Sequence, residues 1–155
     1  MRRSFVCMET IAPSVAAGRP RISTAQAARI ARDAWGLEGE MRPLPGERDR
    51  NFLLETPGGA RRVLKLSNAS ERRDVLELEA AAVGRLAAAV PAYRFPVALP
   101  DADGRTILEI AADDGRIHFM RLLEAVPGRP LARVRPHSPA LLREVGHLLG
   151  AVDRE

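Results

Sequence analysis

The sequence predicts an α+β fold, an antiparallel sheet with a packed helix, in a chain of 155 residues. Three observations lead there. Short runs with strand character are separated by tight turns rich in Gly, Pro and Asp, the spacing of hairpins rather than of parallel crossovers. A long helical pattern interrupts these runs after the third. A last amphipathic helix then follows, with an apolar face and no later segment to cover it. No internal repeat is visible.

Residues 1–22 have no clear period and contain Pro13 and Pro20, so a flexible leader is expected. Ser23-Thr24-Ala25-Gln26 fits a capping box. Ala27, Ile30, Ala31, Ala34 and Trp35 then recur at helical spacing, and Gly36 is placed to end the helix. Strands are expected at 41–44, 51–56 and 61–66, the last two joined by the turn Pro57-Gly58-Gly59-Ala60. A helix follows over about 70–89, stopped by Pro91. Further strands are expected at 95–99, 106–111 and 117–123, with turns at Asp101-Ala102-Asp103-Gly104 and Asp113-Asp114-Gly115. Ser138-Pro139 supplies a cap and a first-turn proline for the final helix. Its face is formed by Leu141, Leu142, Val145, Leu148, Leu149 and Val152.

Composition narrows the function. No apolar run is long enough for a membrane span, and the N-terminus lacks the continuous apolar stretch of a secretory signal, so a cytoplasmic protein without membrane contact is expected. The single cysteine, Cys7, excludes an internal disulfide framework. A net charge of +4 raises the question of nucleic acid. Arginines are interspersed with acids, however, as in Glu47-Arg48-Asp49-Arg50, and aromatic residues for base stacking are scarce. A mixed-charge solvated surface with no nucleic-acid partner is the better account.

Of the 24 basic residues, Lys65 alone is lysine. In an Arg-rich chain, a lysine that remains marks a place where a compact point charge on a thin stem is needed rather than a planar fork. Strand alternation puts Val63 and Lys65 on one face of 61–66, Leu64 and Leu66 on the other. An inward ammonium needs an anionic partner. The following helix offers Glu79, which completes an apolar stripe through Leu76, Val83, Leu86 and Val90, whereas Glu77 points elsewhere. A Lys65–Glu79 pair is therefore expected; the alternative is a Glu79 at the stripe's edge that reaches solvent. Strand lysine plus helix glutamate is the arrangement that places a lysine on nucleotide phosphates in protein-kinase-like folds.

Three segments in order carry a family resemblance: Leu44-Pro45-Gly46-Glu47-Arg48-Asp49-Arg50-Asn51-Phe52, Val63-Leu64-Lys65-Leu66, and Glu79-Ala80-Ala81-Ala82-Val83-Gly84-Arg85-Leu86. Together they resemble the aminoglycoside phosphotransferase superfamily, and the Glu-Arg-Asp-Arg-Asn-Phe form is similar to hydroxylysine-kinase-like members, including kinase domains fused to class III aminotransferases. Met120 to Gly128 resembles the strand and hinge between the two lobes of such kinases. The resemblance implies a protein-kinase-like small lobe over 23–123, a hinge and linker over 124–137, and the first helix of a missing large lobe over 138–155.

Carried over to this chain, the resemblance places Lys65 on the α- and β-phosphates of ATP, with Glu79 holding it. The turn 46–51, with Glu47, Arg48 and Asn51, stands where protein kinases keep a glycine-rich loop over the phosphates. Asp49 and Asn51 are also residues that ordinary turns favour. Val63 would line the adenine pocket, and the backbone of Glu124 and Val126 would bond the adenine edge. The family's transfer loop, resembling His-x-Asp-x-x-x-x-Asn, has no match here, because Met120, Pro139 and Leu149 stand two residues after His118, His137 and His147. Catalytic residues and Mg2+ ligands are thus expected only in the missing lobe. The chain is read as the ATP-binding lobe of a small-molecule kinase, with an amino alcohol, aminoglycoside or similar acceptor for the full-length enzyme. Two other classes stay open: a non-catalytic nucleotide-binding or protein-interaction module that docks through the apolar face of 138–153, and a basic nucleic-acid-binding domain. The chain by itself is expected to self-associate through 138–153.

Overall fold

Strand alternation sorts the side chains of the central strands onto two faces, and the two faces have different fates. The computed structural model describes residues 19–155; Cys7 and most of the expected leader lie outside them. The elements in chain order are α1 (Thr24–Trp35), β1 (Glu40–Leu44), β2 (Arg50–Glu55), β3 (Arg61–Leu66), α2 (Arg73–Ala89), β4 (Ala98–Leu99), β5 (Leu108–Ala111), β6 (Ile117–Glu124), a 3-10 turn (Leu131–Arg133) and α3 (Pro139–Val152). All strand pairings among the described residues are antiparallel. The sheet order is β1-β2-β3-β6, with β4 and β5 lying end to end along the far edge of β6.

One face is apolar. Phe52, Leu54, Leu64, Leu66, Met120 and Leu122 are all fully or almost fully buried there, beneath Ala27 and Ala31 of α1. Small residues on α1 let the helix lie close to the sheet, and the sheet supplies the bulk. The expected capping box is present, with Ser23 Oγ accepting from Gln26 N–H and Gln26 Oε1 accepting from Ser23 N–H. Gly36 ends the helix at φ 63°, a left-handed cap in which its N–H donates to the Arg32 carbonyl and the N–H of Leu37 to the Ala31 carbonyl. Trp35 donates its indole N–H to the Leu99 carbonyl at 3.2 Å, joining the helix end to β4. Pro43 sits in β1, an edge strand, where its missing N–H costs the ladder little.

Several boundaries differ from the sequence expectation for local reasons. Helix α2 begins at Arg73 rather than near Ser70, because Asn68 captures the chain first: its side-chain oxygen accepts from Ser70 N–H and its carbonyl from Glu71 N–H. Competition of this kind from Asn is what sets many helix starts. The strand expected at 95–99 shrinks to Ala98–Leu99, since Pro96 precedes it and Val97 N–H turns back onto the Phe95 carbonyl. The strand expected at 106–111 starts at Leu108, and that expected at 117–123 runs on to Glu124.

The turn before β5 is organised by Asp101, whose side chain is 1% exposed. Burial alone would raise its pKa. Hydrogen bonds from the Arg105 guanidinium and from the N–H groups of Arg105 and Asp103 outweigh that and hold it below the ordinary 3.8. A depressed carboxylate contributes stability that is present above the ordinary pKa and lost as pH falls through the lowered one. Acid titration of unfolding should therefore show a loss below about pH 4, and Asp101→Asn should flatten that loss. Phe52→Ala, which empties a fully buried site, should cost about 3–5 kcal/mol in guanidinium denaturation.

Candidate nucleotide cleft

The opposite face of the sheet is built from different material. Register pairs Asn51 with Lys65, Leu53 with Val63, Lys65 with Arg121 and Val63 with Leu123, so all six residues project to the side away from α1. Two cations therefore sit side by side on neighbouring strands. Lys65 is part-exposed, with 31% of its side chain accessible, while Arg121 is 4% exposed as a residue. Helix α2 borders this face. A cavity of about 170 Å³ lies between them, with Lys65, Glu79 and Arg121 as its charged walls and Val83, Ala98 and Leu123 among its apolar ones.

The expected pairing is not the one formed. Lys65 Nζ lies 3.1 Å from Asp49 Oδ2, and Glu79 Oε2 lies 2.9 Å from Arg121 Nη1. Glu79 does face the sheet side of α2, as its place on the apolar stripe required, but it answers the other cation. The physical reason is burial. A guanidinium shut away from water needs a carboxylate more than a part-exposed ammonium does, and its longer fork reaches the helix. Glu77, as expected, points away and pairs with Arg73 at the surface. Sequence reasoning missed Arg121. The signal was present: an arginine in the middle of an apolar strand, Phe119-Met120-Arg121-Leu122-Leu123, with no other explanation.

Asp49, weighed from sequence as a turn former, has a second task. One carboxylate oxygen meets Lys65; the other accepts the Asn68 N–H at 3.0 Å. The turn 46–51 is thereby tied to the corner between β3 and α2, and Arg48 adds a long contact to Ser70 Oγ at 3.5 Å. The corner itself is fixed from below. His118, fully buried on β6, lies 2.9 Å from the Ser67 carbonyl through Nδ1 and 3.0 Å from Asp114 through Nε2. Gly46 is required in the turn by close approach, because a Cβ there would come within 2.8 Å of the Asp49 carbonyl oxygen. Asn51 packs beneath it with its side-chain oxygen buried and without a hydrogen-bond partner among the described residues. Glu47 is exposed.

The remaining expected site residues lie along the cleft's rim. Val63 is half-buried beside Leu123. Glu124 ends β6, and its N–H is committed to the Val97 carbonyl at 2.9 Å, so that group is not available to a ligand. Val126 follows beyond the strand and is 49% exposed. Helix α3 is capped by Ser138 as expected, with Leu142 and Leu149 exposed on its surface. Among the described residues, no group of three or more His, Cys, Asp or Glu is placed to hold a metal ion, and no helix is long and apolar enough to cross a membrane.

Comparison with known proteins bears on the family and the fold. The model of the phosphotransferase enzyme family matches residues 40–155. Hydroxylysine kinase of Bos taurus is 31% identical over 156 residues, covering 91% of this chain and 40% of that protein. Hydroxylysine kinase of Danio rerio is 31% identical over 142 residues, covering 87% of this chain and 39% of that protein. The chain thus spans about 40% of the length of these curated relatives. Among solved structures, an amicoumacin kinase in complex with AMP-PNP, Ca2+ and Ami superposes with a TM-score of 0.57 at 16% identity, over 72% of this chain and 33% of that one. At that identity the likeness speaks for the fold, a kinase-like small lobe.

The Glu79–Arg121 pair is lopsided, with 54% of the Glu79 side chain and 5% of the Arg121 side chain exposed. Removing the carboxylate strands a buried cation, whereas removing the cation leaves a carboxylate that water can reach. Glu79→Ala should therefore destabilise the chain by about 1–3 kcal/mol, and Arg121→Met by clearly less, in parallel denaturation curves.

Proposed function

This chain belongs to the phosphotransferase enzyme family, and from that premise we propose that it forms the ATP-binding lobe of a small-molecule kinase. The observation that carries the reading is the only lysine of the sequence, held on the cleft face of β3 with its ammonium on an anion. An ammonium fixed on a strand and partnered by carboxylate oxygen is a position that phosphate oxygen can also take. Asp49 supports the reading, since a carboxylate oxygen already has room beside the ammonium.

In this reading Lys65 bonds the α- and β-phosphates of ATP. Glu79 does not grip Lys65 directly. It ties α2 to β6 through Arg121, and so fixes the cleft wall beside the lysine. Val63, Leu123 and Ala98 offer the apolar surface an adenine ring needs, and the backbone beyond Glu124, towards Val126, borders its polar edge. The turn 46–51 covers the phosphates, through Arg48 and Asn51 in particular.

The reaction proposed for the whole enzyme is transfer of the ATP γ-phosphate to a hydroxyl of an amino alcohol, aminoglycoside or similar acceptor. The similarity to hydroxylysine kinases supports an amine-bearing acceptor. Magnesium would neutralise charge on the transferring phosphoryl group when bound, and the Asn and Asp that hold it in such kinases are not among these 155 residues. What this chain contributes is binding: it orients the triphosphate and shields one side of it from water. A cytoplasmic location goes with this reading, since ATP and a small polar acceptor are both met there.

A charge-assisted contact is worth about 1.5–3 kcal/mol, a factor of about 10–100 in affinity. ATP titrated into the 155-residue chain and followed by amide NMR should show weak binding that Lys65→Ala lowers by about that factor. Equal binding in the two proteins would sink the assignment.

A further inference from the structure

The proposed phosphate site already contains an anion of its own. Asp49 places one oxygen 3.1 Å from Lys65 Nζ and the other 3.0 Å from the Asn68 backbone nitrogen. The same carboxylate therefore partners the ammonium and fastens the turn 46–51 to the corner after β3. Two anions brought to one ammonium repel each other, and neither side chain is sealed from solvent, with 31% of Lys65 and 22% of Asp49 accessible. The pair can open without breaking the core, because Phe52 and Leu64, next to Asn51 and Lys65 on their strands, are anchored on the opposite face.

We propose that Asp49 is a resident anion that ligand phosphate must displace from Lys65, so that binding of a polyphosphate is coupled to release of the turn 46–49 from its Asp49 tie to the β3–α2 corner. The proposal rests on the nucleotide-lobe reading above and adds a gate to it. Without phosphate, Asp49 keeps Lys65 neutralised and the turn fastened. With phosphate, Lys65 exchanges one oxyanion for another and Asp49 lets go of the corner. The turn stays over the phosphates, held by the pairing of Arg50 and Asn51 with β3, the 3.5 Å contact from Arg48 and the 3.2 Å bond from Arg19 to the Asp49 carbonyl. Asp49 thereby disfavours ligands too weakly charged to complete the exchange. The opposite possibility is that Asp49 steadies Lys65 for phosphate and stays in place.

Asp49→Asn separates the two. The amide oxygen can still accept the Asn68 N–H, so the turn keeps its tie while the charge is lost. Tripolyphosphate, ATP and adenosine would each be titrated into the wild-type chain, Asp49→Asn and Lys65→Ala, with affinities read from amide NMR. Asp49→Asn should bind ATP and tripolyphosphate roughly two- to fivefold tighter, the range of a part-exposed ion pair, and adenosine unchanged. Equal or weaker phosphate binding by Asp49→Asn, while Lys65→Ala is impaired, would overturn the exchange and leave the lobe assignment standing. If Lys65→Ala binds ATP as wild type does, the lobe assignment itself fails, and the exchange with it. A wild-type measurement guards against misfolding of the variant. The Asn68 amide resonance should move with tripolyphosphate and stay with adenosine; no movement at saturating tripolyphosphate would also overturn the exchange.

Discussion

Two cations on adjacent strands share one face of a sheet, and most of the cleft follows from the need to neutralise them separately. Lys65 and Arg121 are register partners, so a single carboxylate placed between them would leave one cation poorly answered. The chain instead supplies one from each flank: Asp49 from the turn before β2, Glu79 from α2. Each ion pair fastens a different piece of the cleft to the sheet. The Arg121 pair holds the helical wall, and the Lys65 pair holds the turn that borders the opposite side. Because the two pairs use different acids, either can change without dismantling the other. A single Lys–Glu pair could not separate those tasks.

The opposite face of the same strands shows why such an arrangement can stand. Its six large apolar side chains are packed under α1, and that packing, not the charges, carries the stability of the lobe. Backbone alternation makes the two faces independent in content while locking them together in position. A shift of one residue in β3 would bury Lys65 beneath α1 and expose Leu64 and Leu66, so the apolar face also enforces the placement of the cations.

Much of this was legible in the residues. The capping box, the Gly36 stop, the hairpin of β2 and β3 and the inward face of Lys65 all follow from local chemistry that acts within a few positions. Glu79 was legible as a carboxylate on an apolar stripe, which is why it borders the cleft. Its partner was not, since the choice between Lys65 and Arg121 is decided by which strand lies beside β3, and strand order is a property of the whole sheet. Asp49 was legible as a turn residue but not as a ligand to Lys65, because that contact needs the register between β2 and β3. The short β4 and the late start of α2 were lost for smaller reasons: a proline-broken edge, and an asparagine that hydrogen-bonds ahead of the helix. The family resemblance read from the motifs agrees with the family match over residues 40–155.

Trp35 is the only tryptophan in the chain, and it is placed at a joint. Its indole N–H bonds the Leu99 carbonyl, one residue along β4 from Ala98 in the cavity wall. The emission of this single tryptophan, excited where Tyr93 does not absorb, is consequently a local gauge of how α1 seats against the strand that borders the cleft. The protein carries its own optical reporter at the place where the apolar core and the charged face meet, with no label to perturb either.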